Sequence, residues 1–291
     1  MSKKKSAENS APTWSDESTN LLKVAPGFVL GTVDPGSTPG YSGGKSSAEA
    51  DGEVAAAALS KQQEMLFANS RLGDNRKVLL ILQGMDTSGK GGIVRHVVGN
   101  VDPQGVSHVA FKAPTPAELR HDFLWRVRQK VPAPGMIGVF DRSHYEDVLI
   151  GRVKQLAPAA EIEKRYDLIN AFEQELVADD TTVIKVMLHI SAAEQKARLL
   201  ERLERPDKYW KYNPGDIDER MLWPSYQAAY QTALERTSTA FAPWYVVPAN
   251  RKWFARLAVQ ELLLKALNDM VLTWPVADFD VLAERARLAA S

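Results

Sequence analysis

The sequence predicts an α/β protein with a three-layer α/β/α architecture around a mainly parallel five-stranded sheet. Short apolar runs of strand length alternate with longer segments of helical character along most of the chain, the pattern of strands joined by crossover helices. The apolar runs are nearly continuous, as expected for strands that helices cover on both faces. A chain of 291 residues with 45% hydrophobic and 25% charged residues can also bury such a core without disulfides.

Each predicted element follows from local composition and periodicity. Short apolar runs of strand length are found, in chain order, at residues 78–83, 106–112, 136–140, 183–190 and 244–247. Helical composition or periodicity is found at residues 46–72, 117–130, 161–178, 192–204, 216–241 and 251–272. We expect Pro224 to kink or restart the fifth of these helices, because proline removes a hydrogen-bond donor and clashes with the preceding turn.

The first 45 residues differ from the rest of the chain, since they are rich in serine, glycine, proline and threonine. We expect residues 1–20 to form a flexible tail. Residues 21–45 are expected to lie as an extended arm on the main domain, because apolar side chains such as Leu22 and Phe28 need cover. The main domain then covers residues 46–291.

Composition excludes several classes of function. The chain has no cysteine, which rules out thiolate metal sites, iron–sulfur clusters and cysteine nucleophiles and suits a reducing compartment. The 36 basic and 36 acidic residues cancel, so a globally basic nucleic-acid-binding protein is not expected. The sequence contains neither a secretory signal nor an apolar run long enough for a membrane span. We therefore expect a cytoplasmic protein with no membrane or nucleic-acid partner.

A glycine-rich loop, residues 84–92, follows the first predicted strand and leads into a helical segment. It reads Gly-Met-Asp-Thr-Ser-Gly-Lys-Gly-Gly, which matches the phosphate-binding pattern G-x4-G-K in its required context. The backbone N–H groups of such a loop form an anion cradle, and Lys90 adds a charge for a terminal phosphate. An ordinary glycine-rich turn is the alternative, which the context and the lysine disfavour. The residues assigned to phosphate binding are Gly84, Ser88, Gly89, Gly91, Gly92 and Arg95.

One position of this loop departs from the usual pattern. Gly91 follows the lysine where a Ser or Thr would bind Mg²⁺. Divalent charge near the phosphates must then come through carboxylates. Asp86 lies inside the loop, and Asp141 ends a buried strand that we expect beside it, at the edge of the sheet where such folds bind ligands. We predict these two residues as the metal ligands.

Two basic regions indicate a polyanionic ligand. The first, between residues 196 and 211, contains Lys196, Arg198, Arg202, Arg205, Lys208 and Lys211. The second contains Arg95, Lys112, Arg120, Arg126, Arg128 and Lys130. A charge run is usually a solvated helix face, but the first region lies where a lid closes over the phosphate in phosphate-loop proteins. So many cations suit a long polyanion better than a two-phosphate ligand.

Three motifs together resemble polyphosphate kinase family 2. They are the glycine-rich loop, Phe-Asp-Arg-Ser-His-Tyr-Glu-Asp-Val-Leu at residues 140–149, and Asp-Lys-Tyr-Trp-Lys-Tyr at residues 207–212. Residues 111–115 and 244–253 extend the resemblance. It implies a thymidylate-kinase-like phosphate-loop kinase fold, with a helical lid at about residues 196–216.

The resemblance also implies an activity. Family members transfer the terminal phosphate of inorganic polyphosphate to a nucleotide with Mg²⁺, for which Mn²⁺ substitutes. Ser143 to Asp147 resemble the subgroup that accepts both AMP and ADP, the latter giving ATP. The family also forms dimers or tetramers, which implies a homo-oligomer.

Matching the motifs assigns roles to individual residues. The catalytic residues are Asp86, Lys90, Asp141 and Arg142, of which the two aspartates bind the metal. The lid residues that bind polyphosphate are Arg198, Arg202, Lys208 and Lys211. Lys112, Thr115 and Arg126 are assigned to the acceptor nucleotide.

Two other functions remain open from the sequence. One is an ordinary ATP-dependent nucleoside monophosphate kinase, which the loop alone does not distinguish from a polyphosphate-dependent enzyme. The other is a non-catalytic module that binds a polyanion or RNA. Lys90, Asp86 and Asp141 disfavour the module, because binding alone does not require the carboxylates.

Overall fold

Residues 14–291 are described by the structure, a computed structural model, and contain one five-stranded sheet. The strands are β1 (Lys77–Gln83), β2 (Val106–Ala110), β3 (Ile137–Asp141), β4 (Thr181–His189) and β5 (Trp244–Pro248). Their order is β2-β3-β1-β4-β5, and every neighbouring pair is parallel. The predicted five-stranded parallel sheet is therefore confirmed, and β1 lies at its centre.

The helices of the described chain pack mainly against the two faces of this sheet. They are α1 (Asp16–Asn20), α2 (Lys45–Ser70), α3 (Lys90–His96), α4 (Trp125–Arg128), α5 (Ile150–Val153), α6 (Ala159–Ala178), α7 (Ala192–Glu204), α8 (Gly215–Met221), α9 (Trp223–Thr237), α10 (Lys252–Asp269) and α11 (Val281–Ala289). A new helix starts at Trp223, so Pro224 lies in a first turn, which tolerates proline. Within residues 14–291, none of the helices has both the length and the apolar character that crossing a membrane requires.

Side chains of β1 alternate between two hydrophobic clusters, which explains its continuous apolar sequence. Val78, Leu80 and Leu82 belong to the cluster formed with α2, α3 and α10. Leu79 and Ile81 belong to the cluster formed with α6 and α9. Because strand side chains point alternately to opposite faces, a central strand with a helical layer on each side must be apolar throughout. The predicted three-layer architecture follows.

The predicted helix over residues 117–130 is wrong. This segment contains a 3₁₀ turn at Glu118–Arg120 and the single-turn helix α4, with extended backbone at His121 between them (φ −115°, ψ 170°). The Asp122 side chain accepts a hydrogen bond from the Leu124 N–H at 3.0 Å. Such local bonds compete with helix formation, so the helix-forming composition does not give one continuous helix.

An N-terminal arm extends the sheet at the edge of β5. Lys23 forms an antiparallel bridge with Tyr245, and the Val246 N–H donates to the Leu22 carbonyl at 2.8 Å. The predicted tail lies outside the described residues as far as residue 13, and α1 lies in its remaining part. The division of the chain into tail, arm and main domain stays a prediction.

Candidate active site

The glycine-rich loop connects β1 to α3 and needs glycine at two positions. Gly84 has φ +147° and Gly89 has φ +117°, which side chains rarely adopt. A Cβ on Gly84 would also lie 2.7 Å from the Leu188 carbonyl oxygen. Gly91 and Gly92 border open space instead, so their missing side chains keep the entrance of the loop clear.

Lys90 and two hydroxyl groups of the loop are buried around the anion cradle. The Lys90 Nζ donates to the Gly84 carbonyl at 2.8 Å, and burial, with Arg142 nearby, lowers the pKa of its ammonium group. Among the described residues, the buried Thr87 and Ser88 hydroxyls find no hydrogen-bond partner. Buried polar groups are normally satisfied, so these hydroxyls are available to a ligand.

The polar residues at the end of β3 lie beside the glycine-rich loop, because Asp141 pairs with Leu82 of β1 in the parallel register. Arg142 follows in a left-handed conformation, with φ +63°. Its Nη2 lies 2.8 Å from Asp86 Oδ1, and its Nη1 lies 3.9 Å from Glu146 Oε2. Burial opposes the charge of Arg142, but Glu146 and Asp86 raise its pKa, so the guanidinium stays charged.

A basic cavity of about 550 Å³ opens above the loop. Of the described residues, ten lysines and arginines line it, against three carboxylates. The cations are Lys90, Arg95, Arg142, Arg198, Arg202, Arg205, Lys208, Lys211, Lys252 and Arg256. Asp86, Ser88, Gly89, Gly91, Gly92 and Asp141 also line it. The structure therefore brings together most of the residues that the sequence singles out.

The lid residues reach this cavity in different ways. The Arg202 Nη1 donates to the Lys211 carbonyl at 2.9 Å and pairs with Asp216 at 3.3 Å. Lys208 lies 3.6 Å from Asp207. These side chains are half-buried or exposed, so their ion pairs are weak and a stronger anion can displace them.

Arg198 also lines the basic cavity, and its predicted contact with polyphosphate stays a prediction, but its guanidinium is held within the protein. It is buried, and its Nη1 donates to the carbonyls of Thr87 and Ser88 at 2.8 and 3.0 Å. Its Nη2 donates to Ala249 and Asn250, and its Nε donates to Glu194. All five N–H donors of a guanidinium are thus used by the protein. Arg198 therefore holds the glycine-rich loop against the end of β5.

Lys252 and Arg256 are cations that the sequence interpretation missed. They lie one turn apart on α10 and line the basic cavity, where Lys252 Nζ lies 3.7 Å from Glu201 Oε2 of α7. The signal available in the sequence was their i, i+4 spacing, which places both on one helix face. It could not be tied to the loop, because about 160 residues separate them along the chain.

A smaller, acidic cavity of about 250 Å³ adjoins the first. Within the described chain it is lined by four carboxylates and one cation, namely Asp86, Glu146, Asp216, Glu219 and Arg142, and by Gly84, Tyr226 and Tyr230 among others. Burial raises the pKa of Glu146, although Arg142 and Lys90 act in the opposite direction. Burial, with Asp86 nearby, also raises the pKa of Asp216. Asp86 and Arg142 line both cavities and so mark their junction.

Comparisons with known proteins agree with this geometry. The sequence model of the family described as Polyphosphate kinase 2 (PPK2) matches residues 46–273, which is most of the chain. This chain belongs to the polyphosphate kinase 2 family.

Individual relatives resemble this family member over most of its length. The AMP/ADP-polyphosphate phosphotransferase of Meiothermus ruber is 45% identical over 85% of this chain and 91% of its own. The ADP-polyphosphate phosphotransferase of Rhodopseudomonas palustris is 41% identical over 75% of this chain and 78% of its own. The crystal structure of polyphosphate kinase 2 from Arthrobacter aurescens TC1 has 58% identity and a TM-score of 0.92, covering 93% of this chain and 96% of that one.

The residues assigned to the acceptor lie apart from both cavities in this polyphosphate kinase 2 chain. Arg126 is buried, and its Nη1 donates to the Lys112 carbonyl at 2.8 Å. Glu118 accepts a hydrogen bond from the Thr115 N–H at 2.7 Å and lies 3.9 Å from Arg126. The three predicted residues are therefore brought together, at the end of β2, but none of them lines the basic or the acidic cavity of the described chain.

Asp86 and Asp141 suit Mg²⁺ only together with ligands from the substrate and water. The described residues contain no group of three or more His, Asp or Glu side chains that could hold a metal unaided. Mg²⁺ is usually bound through one or two carboxylates together with water and substrate phosphates. Asp86 and Asp141 both line the basic cavity beside the loop, so the pair suits a metal that arrives with its phosphates.

Proposed function

We propose that this chain transfers the terminal phosphate of inorganic polyphosphate to AMP and to ADP, reversibly and with Mg²⁺. The observation that carries the proposal is the junction of a basic and an acidic cavity at Asp86 and Arg142. Two substrates can then enter from separate sides and meet beside Lys90. The names of the relatives from Meiothermus ruber and Rhodopseudomonas palustris support the same pair of acceptors.

Polyphosphate is assigned to the basic cavity. A long polyanion gains from many weak contacts, and the lid cations, Lys252 and Arg256 supply them around one opening. Without polyphosphate, the lid cations Arg202 and Lys208 pair with the neighbouring acids Asp216 and Asp207. The terminal phosphate then reaches the cradle, where the Ser88 and Thr87 hydroxyls are buried.

The acceptor nucleotide is assigned to the acidic cavity. Carboxylates such as Glu219 can accept hydrogen bonds from ribose hydroxyls, and Tyr226 and Tyr230 offer aromatic surface. The acceptor phosphate would lie at the inner end, against Arg142. Whether the set at the end of β2, Lys112, Thr115 and Arg126, contacts the base stays a prediction.

The chemistry needs charge neutralisation more than a base. An oxygen of the acceptor phosphate, already anionic at neutral pH, attacks the terminal phosphorus in line. The bond between that phosphorus and its bridging oxygen breaks, and polyphosphate leaves one unit shorter. Lys90 and Arg142 are placed to neutralise the charge that accumulates between the two anions. Mg²⁺, held by Asp86 and Asp141, would supply further positive charge at the phosphates.

The direct test supplies AMP, a short polyphosphate and Mg²⁺ to the purified protein without ATP. We expect ADP and then ATP to form, and we expect polyphosphate to form from ATP in the reverse direction. Formation of ADP only when ATP replaces polyphosphate would instead identify an ATP-dependent nucleoside monophosphate kinase. Binding without turnover would identify a polyanion-binding module.

The proposal includes a cytoplasmic location and a homodimer or homotetramer. Fractionation of cells and light scattering of the purified protein test these two parts.

A further inference from the structure

A fully buried polar network lies behind the active site, and no step of the proposed reaction uses it. Lys185 of β4 and Glu173 of α6 form an ion pair in which neither side chain is exposed to solvent. The Tyr145 hydroxyl donates to Glu173 Oε1 at 2.7 Å, and the Lys185 Nζ lies 3.0 Å from the Tyr145 oxygen. Lys185 also donates to the Thr237 carbonyl at 2.6 Å.

Such a network is a poor source of stability. Burial of two charges costs so much hydration that apolar residues of similar volume often serve a fold equally well. Burial lowers the pKa of Lys185, and Glu173 offsets this shift only in part. The lost hydration of the ammonium group is therefore not fully compensated by the ion pair. A role in specifying one conformation accounts for the network better than a contribution to stability does.

The conformation that it specifies lies at the junction of the two cavities. Tyr145 is fully buried and stands three residues after Arg142, in the 3₁₀ turn His144–Asp147. The Ser143 hydroxyl accepts a hydrogen bond from the Tyr145 N–H at 3.2 Å. The turn also carries Glu146, which faces Arg142. The anchoring of the Tyr145 side chain thus fixes Arg142, three residues before it, and Glu146, directly after it, toward the active site.

Arg142 needs such an anchor because its backbone is strained. A non-glycine residue with φ +63° persists only where the surrounding structure enforces it. The Arg142 N–H donates to the Leu82 carbonyl at 3.0 Å on one side. The buried turn holds the other side. Release of the turn would let Arg142 relax to an ordinary conformation and move its guanidinium away from Asp86.

We propose that Tyr145, held by Glu173 and Lys185, is a positioning residue that keeps Arg142 in its strained conformation between the donor and acceptor phosphates. This inference rests on the proposed function. Within the described chain Tyr145 lines neither cavity, so we expect its effect on the reaction to pass mainly through Arg142.

A double-mutant cycle tests the inference. We expect Tyr145→Phe to lower kcat about tenfold, since small misplacements of a positioning group are costly, and to leave the KM for polyphosphate within about twofold because the cations of the basic cavity are unchanged. In the Arg142→Lys background, the same change should alter kcat by less than about twofold. Equal factors in both backgrounds, or an unchanged kcat with only a lower Tm, would overturn the inference.

Tyr166→Phe is the matched control. Tyr166 is equally buried on α6, and its hydroxyl lies 3.3 Å from Arg152 of α5 rather than in the network of Glu173 and Lys185. Its removal should leave kcat unchanged in both backgrounds. A tenfold fall in this control would show that loss of any buried tyrosine hydroxyl lowers kcat, and would also refute the specific role of Tyr145.

Should Tyr145→Phe fail to fold, Lys185→Met combined with Glu173→Leu replaces the ion pair by apolar groups. We expect the double variant to fold with a lower Tm, because the Tyr145 hydroxyl and the Thr237 carbonyl lose partners, and to lose kcat to a similar extent; retention of kcat refutes positioning. Activity of the unmodified protein separates the two proposals. If the unmodified protein makes ADP from AMP and polyphosphate and the variants are equally active, only the positioning role fails. If the unmodified protein makes no ADP, the proposed function fails.

Discussion

The two cavities differ in the sign of their charge although they share a wall. Ten cations face three carboxylates in the basic cavity, and one cation faces four carboxylates in the acidic cavity, counted over residues 14–291. The first therefore attracts a polyanion without help. The second disfavours a bare phosphate and accepts one only beside Arg142 or a divalent cation. Under the proposed function, this difference places donor and acceptor on separate sides, with the reaction at their junction.

The largest effect is expected from Lys90→Ala, in the basic cavity beside the junction. Loss of the ammonium group from the cradle should lower kcat by about 10² to 10³, as for removal of one preorganised electrostatic group from an active site. Steady-state kinetics with AMP and polyphosphate measure it. Lys164→Ala removes an exposed lysine from α6 and serves as the control. An unchanged kcat in Lys90→Ala would remove Lys90 from the catalytic group.

Salt should separate the two cavities. If four cations contact polyphosphate, its affinity should fall roughly 50-fold between about 50 and 200 mM salt, by analogy with single-stranded nucleic acids. AMP binding should change much less, because Arg142 is the one cation that lines the acidic cavity among residues 14–291. Calorimetric titrations of each ligand over a salt series give both slopes. Equal slopes for polyphosphate and AMP would contradict the assignment.

A smaller effect is expected from the two cations that α10 contributes to the basic cavity. Lys252→Ala combined with Arg256→Ala should raise the KM for polyphosphate several-fold and leave kcat and the KM for AMP nearly unchanged, since uniform binding is lost. The matched control is Lys265→Ala, farther along α10 and outside the cavity. A raised KM for AMP instead would place the acceptor nucleotide beside α10.

The smallest effect concerns stability at the acidic cavity. Burial raises the pKa of Glu146, so folding disfavours its ionised form, and this cost grows as pH rises from the unfolded pKa to the raised pKa of the folded state. Glu146→Gln should therefore raise Tm by a few degrees at neutral pH. Below the unfolded pKa, Glu146 is protonated in both states and the gain should vanish. Thermal unfolding at several pH values measures this; a gain that persists in acid would argue against a titration effect.

The basic cavity was predictable from sequence to a greater extent than the acidic one. The glycine-rich loop, Asp141 and Arg142 lie in contiguous motifs next to strands, and parallel strands bring their carboxyl ends to one edge. Asp216 and Tyr230 lie on helices, where carboxylates usually face solvent and tyrosines usually face the core. Only the tertiary fold brings them to the same cavity as Glu146 and Arg142.

Arg198 and residues 117–130 show the same limit of interpretation from sequence. Arg198 was interpreted as a ligand-binding cation from its charge, but its geometry gives every donor to the backbone of the loop and its surroundings. Residues 117–130 were interpreted as a helix from composition, but the Asp122 side chain competes for the backbone. In both cases hydrogen bonds to the backbone, distant in the chain for Arg198 and local for Asp122, fix a geometry that composition does not record.

The arm at the edge of β5 has a consequence for self-association. An unpaired edge strand presents free N–H and carbonyl groups to any other extended chain and so invites aggregation. The pairing of Leu22 and Val24 with Val246 and Trp244 occupies those groups on β5, which leaves β2 as the other terminal strand of the described sheet. The N-terminal arm therefore blocks one of the two directions in which this sheet could be extended by a neighbouring molecule.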